Sequence, residues 1–148
     1  MIVRIGFTLM LLIAALTHAQ TSANEEGSVW DGVYSDSQAK SGAKLFVTHC
    51  IACHATQAGE VSGHAPAPSV IGEDFEFRWL DSSLADLFDV VRQTMPEGAP
   101  NSLSPGEYAA LTAYLLQLNG YPAGVSDLDV SGYDSMTRIW IEKKPQRR

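Results

Sequence analysis

Two thiols three positions apart, followed at once by an imidazole, constrain this protein more than any other feature. The stretch "THCIACHAT", residues 48–56, holds Cys50, Cys53 and His54, and the 148 residues contain no other cysteine. A disulfide closing so short a loop would restrict the unfolded polypeptide very little, so the pair is not explained as a staple. Whatever it does must be compatible with the few elements that flank it.

Those elements are helical. Ser35 and Gln38 have the spacing of a capping box, and Ala39, Gly42, Ala43, Phe46 and Cys50 recur on one face, which predicts a first helix running into the Cys50 to His54 segment. Residues 56–72 are rich in Gly, Ala, Ser and Pro and read as loop. A second helix is predicted over "SSLADLFDVVRQT", with Ser82 or Ser83 as N-cap and Leu84, Leu87, Phe88 and Val91 as its buried stripe. It ends at Met95-Pro96, because the residue before a proline is driven out of the helical region. The third helix begins with a capping box of Ser104 and Glu107 around Pro105, presents Tyr108, Leu111, Tyr114, Leu115 and Leu118, and closes at Gly120 and Pro122. No strand-like alternation interrupts this pattern, so the expected fold is all-α, with three main helices and long loops. So small a set of helices buries little surface by itself, and something besides side chains is expected to fill the core.

The flanks suggest where the protein works. Residues 1–19 combine Arg4, an apolar run from Ile5 to Leu16, and Thr17 and Ala19 as small residues before a cleavage point. That is the pattern of a signal peptide, and it implies export to the periplasm. The run falls short of the roughly 20 apolar residues that cross a bilayer, so no membrane span is expected in the mature protein. Residues 20–34 read as an extended lead-in, residues 35–124 as the domain, and residues 125–148 as a C-terminal extension that is flexible or docks a partner. Without Arg4, 17 acidic side chains face nine basic ones, and five of those nine (Arg138, Lys143, Lys144, Arg147 and Arg148) lie in the extension. The remaining acidic body would repel nucleic acid and attract a basic protein surface.

In an exported protein, the pattern C-x-x-C-H is the attachment signature of haem c. Two thiols about one helical turn apart can each add to a porphyrin vinyl group, while the adjacent imidazole reaches the iron. Cys50 and Cys53 are then the thioether positions and His54 the proximal axial ligand. Zinc would need about four ligands, and His49, His54 and His64 lack paired spacing. A thioredoxin-like pair would need a βαβ setting, which the helical pattern does not offer. For the distal position Met95 supplies a soft thioether that favours ferrous iron and raises the potential, with His64 as an imidazole alternative.

The ordered set "CIACH", "PSVIG" (residues 68–72), "TMP" (residues 94–96) and "LTAYLL" resembles the class I cytochromes c over roughly residues 30–124. The resemblance implies the small fold of that family wrapped around one covalent haem c per polypeptide. It also implies that Gly42 and Phe46 pack against Leu111 and Tyr114, and that the Pro68 carbonyl holds the free nitrogen of His54. A hydrogen bond from Arg78 or Trp79 to a haem propionate is a further expectation. The flanking "WDGVY" and "NGYPAG" are similar to those of cytochromes associated with periplasmic quinoprotein and related dehydrogenases. The implied function is one-electron transfer, from a periplasmic dehydrogenase to a terminal oxidase or another cytochrome, and not catalysis. Two alternatives accompany it: a permanent cytochrome subunit of a dehydrogenase complex, and a haem enzyme or gas sensor with a displaceable distal ligand.

Overall fold

The computed structural model describes residues 26–54 and 67–146. The expected signal peptide and His64 lie outside the described residues. Among the described residues, five α-helices and one two-stranded sheet follow in the order β1 (Gly27–Ser28), α1 (Asp36–His49), α2 (Gly72–Trp79), α3 (Leu84–Thr94), α4 (Pro105–Leu118), α5 (Tyr133–Met136) and β2 (Ile139–Trp140). The architecture is all-α, as expected from the sequence, with two further elements at its C-terminal end.

Helix α1 starts where Ser35 accepts the Gln38 backbone N–H at 3.1 Å. The expected box with Gln38 is only half formed, because the Gln38 side chain is engaged elsewhere. Its amide donates to the Leu128 carbonyl at 3.1 Å and accepts the Leu128 N–H at 2.7 Å. A residue that reads as a local cap therefore clamps a segment 90 positions away. Helices α3 and α4 have the reciprocal boxes, Ser83 with Asp86 and Ser104 with Glu107, and α4 begins on Pro105.

The central crossing is between α1 and α4, and Gly42 makes it possible. A Cβ there would lie 1.9 Å from the Ala110 carbonyl oxygen and 2.5 Å from its carbon. Only a residue without a side chain permits this backbone approach. Beside it Phe46 meets Tyr114 edge-on, with ring centroids 5.4 Å apart, and Leu111 is buried in the same core. Tertiary contact thus places the "LTAYLL" segment against the helix that leads to Cys50.

Helix α2 is not expected from the sequence, and its composition explains why. Its N-cap is Ile71, which supplies no capping side chain, and it is eight residues long. Helices that short are marginal in isolation. This one is held by tertiary contacts: Phe75 is buried, and Asn119 at the end of α4 accepts the Gly72 N–H at 2.9 Å. Glu73 and Asp74 in its first turn add a favourable interaction with the helix dipole.

The two flanks that read as lead-in and flexible extension are joined to each other. Strand β1 pairs in parallel with β2, setting Gly27 against Ile139 and Ser28 against Trp140. Between them Ser28 caps a single 3-10 turn at Val29–Asp31. Leu128, Met136 and Ile141 are buried in the core, and Trp30 donates its indole N–H to the Glu142 carbonyl at 2.8 Å. Leu128, Met136, Ile141 and Glu142 thus tie this part of the extension to the rest of the fold. The buried apolar side chains of this segment lie too far apart to form a periodic stripe, and the charge of "RIWIEKKPQRR" masks the last of them. No helix among the described residues is long and apolar enough to cross a membrane.

Candidate cofactor site

Four of the five site residues singled out from sequence meet on one cavity of about 300 Å³: Cys50, His54, Pro68 and Met95. Its walls are apolar, with Phe46 from α1, Phe75 and Trp79 from α2, Leu87 and Val91 from α3, and Leu111 and Leu115 from α4. Arg78 and Thr94 bring polar groups to the lining. Cys53 sits half-buried in the turn before His54 and is not part of that lining.

The turn is built by Cys50. It ends α1, donating its N–H to Phe46, and its own carbonyl accepts the N–H groups of Cys53 at 3.0 Å and His54 at 2.9 Å. Helix and motif are thus one continuous piece of backbone. The two cysteines are not disulfide-bonded. Burial, and secondarily the neighbouring Cys53, pushes the Cys50 thiol up to about 11. A reactive dithiol needs a lowered pKa and an electropositive setting, so this environment is unlike that of a redox pair.

His54 is buried, and its Nδ1 lies 2.9 Å from the Pro68 carbonyl oxygen. A carbonyl can only accept, so Nδ1 carries the proton and the lone pair of the neutral ring resides on Nε2. That is the tautomer a metal-binding imidazole needs. Val70 and Gly72, just beyond Pro68, are both held by Asn119, whose amide donates to the Val70 carbonyl at 2.9 Å.

Met95 caps the C-terminal end of α3, with its N–H donated to Val91 at 2.9 Å and its carbonyl accepting the Tyr108 hydroxyl at 2.8 Å. Tyr108 and Asn119 are the residues that sequence reasoning missed. From sequence Tyr108 is only one member of a buried face, although a phenol placed there implies a buried hydroxyl in need of a partner. The donor set on this cavity consists of thiol, imidazole with a free lone pair, and thioether, within apolar walls. It fits a covalently held haem, with His54 and Met95 the residues that would meet the iron.

Residues 37–115, spanning nearly all of α1 through α4, match the family model described as cytochrome c oxidase, cbb3-type, subunit III. The protein belongs to this cytochrome c family. No curated protein and no solved structure matches it. As a c-type cytochrome it is an electron-carrying protein for covalently bound haem c, and its partners are redox proteins. The matched span leaves out β1, α5 and β2, so the sheet that joins the two flanks lies outside the family core.

Proposed function

We propose that this cytochrome is a periplasmic monohaem carrier, in which Cys50 and Cys53 form the thioethers, His54 is the proximal ligand and Met95 the distal one. The observation that carries the reading is the His54 Nδ1 contact with the Pro68 carbonyl, on the same cavity as the Met95 thioether. When bound, the haem supplies a one-electron ferric/ferrous couple. The protein supplies the environment. Pro68 keeps the His54 lone pair on Nε2, Met95 offers a ligand that favours the reduced state, and the apolar walls limit access of water.

The donor in this proposal is a periplasmic dehydrogenase and the acceptor a terminal oxidase or another cytochrome. The acidic excess of 17 carboxylates over ten basic residues suits partners with basic faces, which would bind weakly and release quickly as salt screens the attraction. The test is spectroscopic. The ferric protein should show the long-wavelength methionine-to-iron band, and the ferrous protein should not bind carbon monoxide at neutral pH. A high-spin, five-coordinate spectrum would replace the carrier reading with that of a haem enzyme or gas sensor.

A second reading is favoured by the matched family, whose description is that of an oxidase subunit. In it the protein is a permanent subunit of a larger redox complex. Co-purification that survives high salt would select this reading, and release at moderate salt would select the free carrier.

A further inference from the structure

We infer that Tyr108 is a positioning residue for Met95, holding the loop that bears the distal thioether to the start of α4. The inference rests on Met95 being the axial ligand. At Met95 the backbone leaves α3 in an extended conformation, φ −123° and ψ 153°, so its carbonyl turns out of the helical ladder. The partner it finds is the Tyr108 hydroxyl at 2.8 Å, from a tyrosine with no solvent exposure. Tyr108 stands in the first turn of α4, which is fixed by Pro105 and by the Ser104–Glu107 box, with Glu107 accepting the Ser104 N–H at 2.8 Å. The anchor is therefore rigid.

The rest of the loop is tied on the other side. Asn101 donates its N–H to the Arg92 carbonyl at 2.9 Å and accepts Arg92 Nε at 2.8 Å, which fastens the loop to the last turn of α3. Those bonds close the loop on itself, and Val91 holds the Met95 N–H, but the Met95 carbonyl is left to find its partner elsewhere. The Tyr108 hydroxyl restrains that residue, and it acts on the backbone of Met95 rather than on the sulfur. Without it the thioether should remain present but exchange more readily with outside ligands.

The experiment uses the full haem-loaded protein and titrates the ferric form with imidazole, which competes with a methionine ligand. Tyr108→Phe should bind imidazole about tenfold more tightly, the equivalent of one lost hydrogen bond, and show a weaker methionine-to-iron band. Tyr34→Phe is the control. It removes the same kind of group, a fully buried phenol, but one whose hydroxyl donates to the Tyr121 carbonyl at 2.6 Å and not to Met95. It should lower the melting temperature and leave imidazole affinity and band unchanged. Equal effects from the two variants, or none from Tyr108→Phe, would overturn the inference. Should Tyr108→Phe fail to fold, 3-fluorotyrosine at position 108 keeps the ring and strengthens the donor. Imidazole should then bind more weakly than to the parent, and equal or tighter binding overturns the inference. Met95→Leu separates the two levels: a methionine band that survives it would remove the ligand assignment itself, and the inference with it.

Discussion

The Nδ1 atom of His54 stands 2.9 Å from the carbonyl oxygen of Pro68, across a stretch of 14 positions. The bond selects the tautomer and orients the ring without using any side chain of the partner. His54→Ala should therefore remove both the proposed axial ligand and the tie between the motif and the Pro68 loop. We expect a high-spin ferric spectrum and a loss of far-UV helical signal. An unchanged low-spin spectrum would move the proximal role to another histidine.

The α1–α4 crossing should tolerate no side chain at Gly42. A methyl group there would overlap the Ala110 carbonyl oxygen, from which Cβ would be only 1.9 Å away, so one helix must move away from the other. Overpacking of this kind costs about 1–3 kcal/mol and more where backbone must shift. Gly42→Ala should lower the urea midpoint accordingly. A midpoint within error of the parent would mean that the helices do not approach so closely.

Ile141 tests whether the C-terminal segment belongs to the fold. Its side chain has no exposure, and its N–H and carbonyl bond the Ser82 carbonyl and the Asp81 N–H, each at 2.9 Å. These bonds brace the junction of α2 and α3, next to the cavity residue Trp79. Ile141→Ala should cost about 2–5 kcal/mol, as for other buried aliphatic truncations. Stability unchanged on chemical denaturation would return the segment to a dangling tail.

Alkaline pH should destabilise the protein in a defined window. Burial, and then the Asp36 carboxylate, pushes the Tyr34 phenol up to about 12, from an ordinary value of 10.0. A group whose pKa rises on folding contributes its stability fully below the unfolded value and loses it as pH climbs through the folded one. Unfolding free energy should therefore fall between about pH 10 and 12. Tyr34→Phe should flatten that decline. It should not abolish it, because burial also raises Tyr121, with the charge of Glu76 adding to the effect.

The motif, its helix and the candidate ligands were legible because their determinants are local. Cys50, Cys53 and His54 are adjacent, Met95 precedes a proline, and the caps at Ser83 and Ser104 follow short-range rules. The misses are all determined at long range. Helix α2 depends on Asn119 and a buried Phe75, Gln38 gives its amide to Leu128 instead of its own helix, and β1 finds β2 across more than a hundred positions. Tyr108 belongs to the same class, since nothing near it in sequence names Met95 as its acceptor.

The Gly42–Ala110 contact also has a kinetic side. It joins helices separated by most of the domain, and bringing such distant segments together requires the closure of a long loop before any contact rewards it. One partner, α1, leads directly into Cys50, and the other, α4, carries Tyr108 and ends beside Asn119. The two sides of the cavity are consequently brought together by a single docking event. A polypeptide in which that event has not occurred presents His54 and Met95 on unrelated segments, so pairing of the two proposed axial groups reports on completed folding.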